Sequence, residues 1–215
     1  MKIAALYSGG KDSTYATYWA IEQGHEVVWL NMRPQEDSMM FHHPNLEWCK
    51  LQAQAAGIKL HTFDTTHETE LEDLKEALRT LECEGLVTGA VQSVYQKSRI
   101  DKIANDLELE AFSPIWHKPP EFLKHMLEIM DVRIVSVSAQ GLGEEWLSKR
   151  FMPEDVDTFA KLDPPINVFL EGGEGETFAC DAPFFKKRIE VKKWDISWNG
   201  NTGKALIKEA ALAGK

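Results

Sequence analysis

The stretch Lys2-Ile3-Ala4-Ala5-Leu6-Tyr7-Ser8-Gly9-Gly10-Lys11-Asp12-Ser13 decides how the rest of the chain is read. Lys2 to Tyr7 is short and apolar and reads as a buried strand. From Ser13 to Gln23 apolar residues recur at helical spacing, up to Gly24, a natural helix stop. A strand that passes through two glycines into a helix can bring its backbone close to a bulky anion. The helix start adds free N–H groups and the positive end of a dipole. Ser8 and Ser13 add hydroxyls and Lys11 a full charge, so Ser8–Ser13 reads as a phosphate cradle. It is not a Walker loop, because Ala5 stands at the first glycine position and Asp12 follows the lysine. The G-x-G-x-x-G dinucleotide fingerprint is absent as well.

Working outward, Glu26–Met32 is a second buried strand, Leu46–Ala56 a helix ending at Gly57, and Ile58–Phe63 a third strand. Glu70–Glu84 is an acidic amphipathic helix, Leu86–Val91 a fourth strand, and Lys97–Leu107 and Pro119–Met130 are helices. Val132–Val137, rich in β-branched residues, reads as a fifth strand. Strands alternating with helices predict an open, mostly parallel, doubly wound α/β sheet. Its ligand site is expected at the carboxyl ends of the strands, where strand order reverses. Asn31 and Met32 end the second strand, beside that expected site; strand-end packing is the other reading. After Ser138 the rhythm breaks. Glu154–Leu162 is a short helix, and Asn167–Leu170, Phe178–Cys180 and Ile189–Trp198 read as strands, with a turn at Asn199–Gly200. The Ala-rich end, Lys204–Ala213, is taken as the returning arm of a hairpin rather than a helix. This divides the chain into a nucleotide domain at 1–130 and a smaller α+β substrate domain at 131–215.

Composition bounds the partners. The chain has 215 residues, 43% hydrophobic and 27% charged, which places it among globular proteins and excludes a disordered chain. Its 24 Lys+Arg against 34 Asp+Glu give a net charge of -10, which disfavours broad nucleic-acid binding. Lys186–Arg188 with Lys192 and Lys193 reads as one exposed strand face. No apolar run is long enough to cross a bilayer. Cys49, Cys83 and Cys180 form no CxxC pair and no zinc pattern, so buried thiols and a cytosolic location are expected.

Two further segments carry polar chemistry. Gly89–Arg99 follows the fourth strand and contains Gln92, Tyr95, Gln96, Lys97 and Arg99. Glu171-Gly172-Gly173-Glu174-Gly175-Glu176-Thr177 precedes Asp181-Ala182-Pro183-Phe184-Phe185. Crowded glutamates on a Gly-rich loop repel one another unless a cation or basic partner offsets them. The loop therefore reads as a solvated acidic turn, or as a site for a cationic substrate, a metal or a proton. Asp37–Asn45, with Met39, Met40, His42 and His43, reads as a mobile substrate loop, its histidines lying at the surface.

SGGKDS at Ser8–Ser13 resembles the pyrophosphate-loop motif of the N-type ATP pyrophosphatases, which cleave ATP between the α and β phosphates. Together with the Gly89–Arg99 and Glu171–Phe185 segments, the order looks like the diphthine–ammonia ligase family over essentially the whole chain. Gly175 stands where many relatives carry an aromatic residue, and Leu170 where they often have glycine. The resemblance implies an adenine nucleotide alpha hydrolase-like fold. It also implies ATP-dependent amidation of diphthine on translation elongation factor 2 with ammonium, through an acyl-adenylate. It implies Lys11, Asp12, Glu174 and Glu176 as catalytic residues, with Asp12 placing Mg²⁺. Ser8, Gly9, Gly10, Lys11, Asp12, Ser13, Asn31, Met32 and Gly89 would bind ATP. Gln92, Tyr95, Gln96, Arg99, Glu171, Gly172, Gly173, Thr177 and Asp181 would bind substrate. Trp116, Phe178 and Phe184 join Tyr95 as aromatic candidates for the trimethylammonium group of diphthine. No membrane and no nucleic-acid partner is expected, and self-association is left open. A tRNA-modifying enzyme sharing the loop, or a non-catalytic ATP/AMP sensor, are the competing readings.

Overall fold

The computed structural model describes residues 1–34, 44–66 and 68–215. Strands β1 (Lys2–Leu6), β2 (Glu26–Pro34), β3 (Leu60–Thr65), β4 (Gly85–Val87) and β5 (Glu110–Phe112) form a parallel sheet in the order β3-β2-β1-β4-β5. Helices α1 (Lys11–Glu22), α2 (Cys49–Ala56), α3 (Glu70–Leu81) and α4 (Val94–Asp106) make the crossovers. Alternation along β1 sets the two layers. Ile3 and Ala5 join Tyr15, Ala16 and Ala20 of α1 on one face. Ala4 joins Val28, Leu30 and Leu86 against Leu74 and Leu78 of α3 and Ile100 and Ile103 of α4 on the other. Trp29 is fully buried and stacks on Tyr7, ring centroids 3.6 Å apart. Truncating it to alanine would cost about 3–5 kcal/mol. Two of the helix ends have a local cause: α1 is followed by Gly24 at φ 78 and α2 by Gly57 at φ 72, left-handed positions that glycine takes without strain.

The second sheet is antiparallel, in the order β7-β6-β9-β8, from β6 (Asp131–Val137), β7 (Gly175–Asp181), β8 (Arg188–Trp198) and β9 (Gly203–Ala213). Helices α5 (Pro120–Ile129) and α6 (Pro153–Phe159) accompany it. The chain is therefore a doubly wound parallel sheet with a smaller antiparallel unit, and one hydrophobic core runs through both, from Ile3 and Trp29 to Val132, Phe178 and Ile207. Among the described residues no helix is long and apolar enough to cross a membrane.

The structure differs from the sequence reading at the fifth strand and at Asn167–Leu170, and agrees with it on the C-terminal arm. Val132–Val137 is not the fifth parallel strand. It is β6, central in the second sheet between β7 and β9, and its Val132, Ile134, Val135 and Val137 are wholly buried. The fifth parallel strand is β5, whose three residues, two exposed and one partly buried, are too few to show a period. Asn167–Leu170 is a turn, tied by Leu170 N–H donating to the Asn167 carbonyl and Phe169 N–H to Asn167 Oδ1. Lys204–Ala213 is the hairpin arm β9, and Asn199 Oδ1 accepts the N–H groups of Asn201 and Thr202 in the connecting turn. Lys192 and Lys193 lie exposed where β8 bulges against β9. The Met39–His43 segment falls on residues 35–43, outside the described residues.

Candidate active site

Strand order reverses between β1 and β4, since β2 and β3 lie on one side of β1 and β4 and β5 on the other. A cleft of about 620 Å³ opens there, at the carboxyl ends of the strands. Its floor is Ser8, Gly10, Lys11, Asp12 and Ser13; one wall is Leu30, Asn31 and Met32 from the end of β2; another is Thr88, Gly89 and Ala90 after β4. Tyr95 and Gln96 at the start of α4 form the rim, and Leu170–Gly173 with Gly175, Glu176 and Thr177 close the far side. A second depression of about 500 Å³ shares Gly173, Gly175 and Glu176 with it and reaches Ser136, Trp198 and Lys204.

The donor set fits a polyanion. Gly10 caps α1 and has no side chain to bond the first-turn N–H groups, which lack intrahelical acceptors; one of them, Lys11 N–H, donates to Thr177 Oγ1 at 3.1 Å. Ser8 and Ser13 hydroxyls lie 3.2 Å apart. Lys11 is 2% exposed, its ammonium donating to Asp12 Oδ2 at 2.7 Å and to the Phe169 carbonyl at 2.5 Å. Gly89 allows backbone to meet backbone: a Cβ there would stand 2.6 Å from the Asp12 carbonyl carbon and 2.7 Å from Ser13 N. Asn31 Nδ2 donates to the Tyr7 carbonyl at 2.8 Å, which holds the ends of β1 and β2 together. Among the described residues no group of three or more His, Cys, Asp or Glu gathers as a metal site. A divalent ion would thus take Asp12 and complete its shell from phosphate and water, as Mg²⁺ often does.

The glutamates of the acidic loop diverge. Glu171 accepts the backbone N–H of Val91 at 2.9 Å and of Gln92 at 2.5 Å, so it pins the loop after β4. Burial pushes its carboxyl up, against the pull of those two N–H groups, and the nearby Asp12 charge adds to the rise. Glu174 Oε1 accepts Asn167 N–H at 3.2 Å, and its carbonyl takes the N–H groups of Ser138 and Ala139. Only Glu171 and Glu176 of the three line the cleft.

Gly9, Gln92, Arg99, Glu174 and Asp181 fall outside the lining. Gly9 sits at φ 84 beneath the loop, packed on Gln52. Gln92 Oε1 accepts from Asn167 Nδ2 at 3.3 Å. The Arg99 guanidinium lies 3.3 Å over the Tyr95 ring. Asp181 ends β7 four residues beyond Thr177, about 13 Å along the strand. There it pairs with Lys215 at 2.8 Å. Of the aromatic candidates only Tyr95 lines the cleft; Phe178 is fully buried in the core and Phe184 packs edge-on to Trp29. Trp116 lies under Lys97, 5.6 Å from its ammonium.

Gln52 was not foreseen. It is fully buried on α2, and its Nε2 donates to the Gly9 carbonyl at 2.9 Å and the Ala179 carbonyl at 2.8 Å. Its signal in the sequence is a polar residue on the stripe Cys49, Gln52, Ala53, Ala56, all buried.

Comparison with known proteins gives one family. The model described as the diphthamide synthase N-terminal domain matches residues 1–111, and that of the diphthamide synthase C-terminal domain matches 118–213. A diphthine–ammonia ligase of Mus musculus is 31% identical over 221 residues, covering 89% of this chain and 83% of its own. One of Homo sapiens is 31% identical over 226 residues, covering 91% and 85%. One of Schizosaccharomyces pombe is 30% identical and is covered over 37% of its length. A predicted subunit of tRNA methyltransferase from Methanocaldococcus jannaschii aligns with a TM-score of 0.48 at 14% identity, over 85% of this chain and 98% of its own.

Proposed function

The chain belongs to the diphthamide synthase family, and from that premise we propose that it is an ATP-dependent ligase that amidates diphthine on translation elongation factor 2 with ammonium. One observation carries the reading: a loop with the donors for a polyphosphate and the acidic loop of Glu171 and Glu176 meet in a single cleft at the strand-order reversal. We assign residues 1–130 to nucleotide binding and 131–215 to the substrate.

In this reading Ser8, Gly10, Ser13 and the first turn of α1 hold the phosphates of ATP, and Asn31 and Met32 flank the base. Gly9 shapes the turn, and Gly89 lets the loop after β4 close against it. The diphthine carboxylate oxygen attacks the α-phosphorus; the bond to the β-phosphate breaks and pyrophosphate leaves. The loop N–H groups stabilise the charge that grows there, and buried Lys11 fixes a positive charge beneath it. Mg²⁺ at Asp12 would neutralise phosphate charge. Ammonia then attacks the activated carbonyl, AMP departs, and Glu176 takes the released proton. Glu171 and Glu174 act by holding the loops, with Gly172 and Gly173 as the bend. Tyr95, Gln96 and Thr177 face the substrate side, and Gln92 and Arg99 stand at the outer rim. Holding both reactants in one cleft supplies the orientation. The second depression, beside Glu176 and Trp198, is where we seat the diphthine head group. The reaction is placed in the cytosol, with the elongation factor as protein partner.

The test is mass spectrometry of diphthine-bearing factor incubated with enzyme, Mg·ATP and ammonium, with AMP and pyrophosphate followed in parallel. Amide product formed with stoichiometric AMP is expected. ATP binding without turnover in the presence of that factor and ammonium would overturn the assignment in favour of a nucleotide sensor.

A further inference from the structure

The strand order leaves β7 at an edge of the antiparallel sheet, and an edge strand carries backbone groups in need of partners. β7 meets the phosphate loop through one backbone group and one side chain. Ala179 N–H donates to the Gly9 carbonyl at 2.9 Å, and Lys11 N–H donates to Thr177 Oγ1 at 3.1 Å. Gln52 completes the seam: its one amide nitrogen donates to the carbonyls of both Gly9 and Ala179. The same carboxamide leaves Oε1 buried with no hydrogen-bond partner among the described residues. A wholly buried carboxamide with an orphaned oxygen is a poor choice for an apolar helix face unless its two donors are needed. Gly9 is pressed so near that a Cβ would stand 2.7 Å from Gln52 Oε1.

We infer that Gln52 is a positioning residue for the phosphate loop, holding Gly9 in its left-handed turn and locking that loop to the strand that carries Glu176 and Thr177. The inference rests on the reading that Ser8–Ser13 receives the phosphates of ATP. Its consequence is that the distance between the phosphates and the acidic loop is set in part by Gln52, which does not itself line the cleft. Losing the seam should injure phosphate binding selectively, because the base-binding end of β2 is held separately, by Asn31 on the Tyr7 carbonyl.

The experiment compares wild type with Gln52→Met, which keeps the volume and removes both donors. Affinities for pyrophosphate and for AMP are measured by calorimetry, with a melting curve for each protein. Pyrophosphate affinity is expected to fall about tenfold, which is what losing one or two net hydrogen bonds amounts to. AMP affinity should fall by less than about threefold. A lowered melting temperature with pyrophosphate binding unchanged, or an equal loss for both ligands, would overturn the inference. Should Gln52→Met not fold, hydrogen exchange in wild type decides: the Ala179 and Lys11 amides should be slow and slow further with pyrophosphate. Rapid exchange at both would overturn it. A wild-type protein that binds neither pyrophosphate nor Mg·ATP would instead overturn the functional reading on which the inference rests.

Discussion

The Thr177 hydroxyl accepts the backbone N–H of Lys11 at 3.1 Å, from a strand 166 residues further along the chain. Helix α1 thus receives from β7 the cap that Gly10, lacking a side chain, cannot supply. Thr177→Val keeps the shape and strands a buried N–H, so it should cost about 1–2 kcal/mol in a denaturant titration. Because that N–H belongs to the phosphate loop, the KM for ATP should rise as well. Thr177→Ser restores the acceptor and should recover most of both losses. Equal behaviour of the valine and serine variants would contradict the capping role.

Glu171 gives a pH-dependent test. Its carboxyl titrates above the usual glutamate range, chiefly because it is partly buried. The folded state therefore holds this proton to a higher pH than the unfolded chain does. The contribution of the protonated group to stability is present at low pH and is lost as pH rises through the folded value. Protonation also converts one acceptor oxygen into a donor facing Val91 or Gln92 N–H, which frees the loop after β4. AMP formation should then fall on acidification with an apparent pKa above the ordinary glutamate value. Glu171→Gln should show low activity at every pH, without that acid limb, and a stability within about 1 kcal/mol of wild type. An unchanged acid limb in Glu171→Gln would assign it to another group.

How far the sequence carried these features follows from chain separation. The phosphate loop was legible because its strand, glycines and helix start are contiguous from Lys2 to Ser13. The crowding of Glu171, Glu174 and Glu176 was legible too, but not their resolution. Their partners at Val91, Gln92 and Asn167 are chosen by how two sheets meet, which no local pattern encodes. Likewise β6 looks like one more strand of a parallel sheet because this antiparallel strand, like those of a parallel sheet, buries residues on both faces. Gln52 carried a signal, polar on an apolar stripe, but its two carbonyl partners are 43 and 127 residues away.

Leu170 sets a side-chain contribution against backbone strain. It sits at φ 60, a left-handed position that costs a branched residue about 1–2 kcal/mol. Yet it is 4% exposed, and its Cδ1 would stand 3.4 Å from a Cβ built on Gly175. The leucine therefore fills the space beside the glycine, which itself is pressed on the Ser136 carbonyl so closely that any Cβ would clash with its oxygen at 2.5 Å. Leu170→Gly should relieve the strain but lose the buried side chain, a net destabilisation of roughly 1–3 kcal/mol. Leu170→Ala loses the side chain and keeps the strain, so it should be less stable than the glycine variant by about 1 kcal/mol. Thermal melts of the two variants give the order; alanine above glycine would mean the strain is not borne by this residue.

The nitrogen source follows from the thiols. An amidating enzyme that draws ammonia from glutamine commonly uses an activated cysteine thiolate. All three cysteines of this chain are free and buried: Cys49 is 0%, Cys83 9% and Cys180 3% exposed. Burial raises the Cys49 and Cys83 thiols and pushes Cys180 up to about 12, the opposite of what a nucleophile needs. Asn31 Nδ2 lies 3.9 Å from Cys49 Sγ, and no cysteine lines the cleft. Ammonium from solution is therefore the expected nitrogen donor. Neutral ammonia is the attacking species, so amide formation at fixed total ammonium should rise with pH until another group limits it. Glutamine freed of ammonium should give no product, and the Cys49→Ala, Cys83→Ala and Cys180→Ala variants should keep wild-type turnover once corrected for folded fraction. Amidation with glutamine alone, abolished by replacing one of these cysteines in a folded protein, would show that a thiol does the chemistry after all.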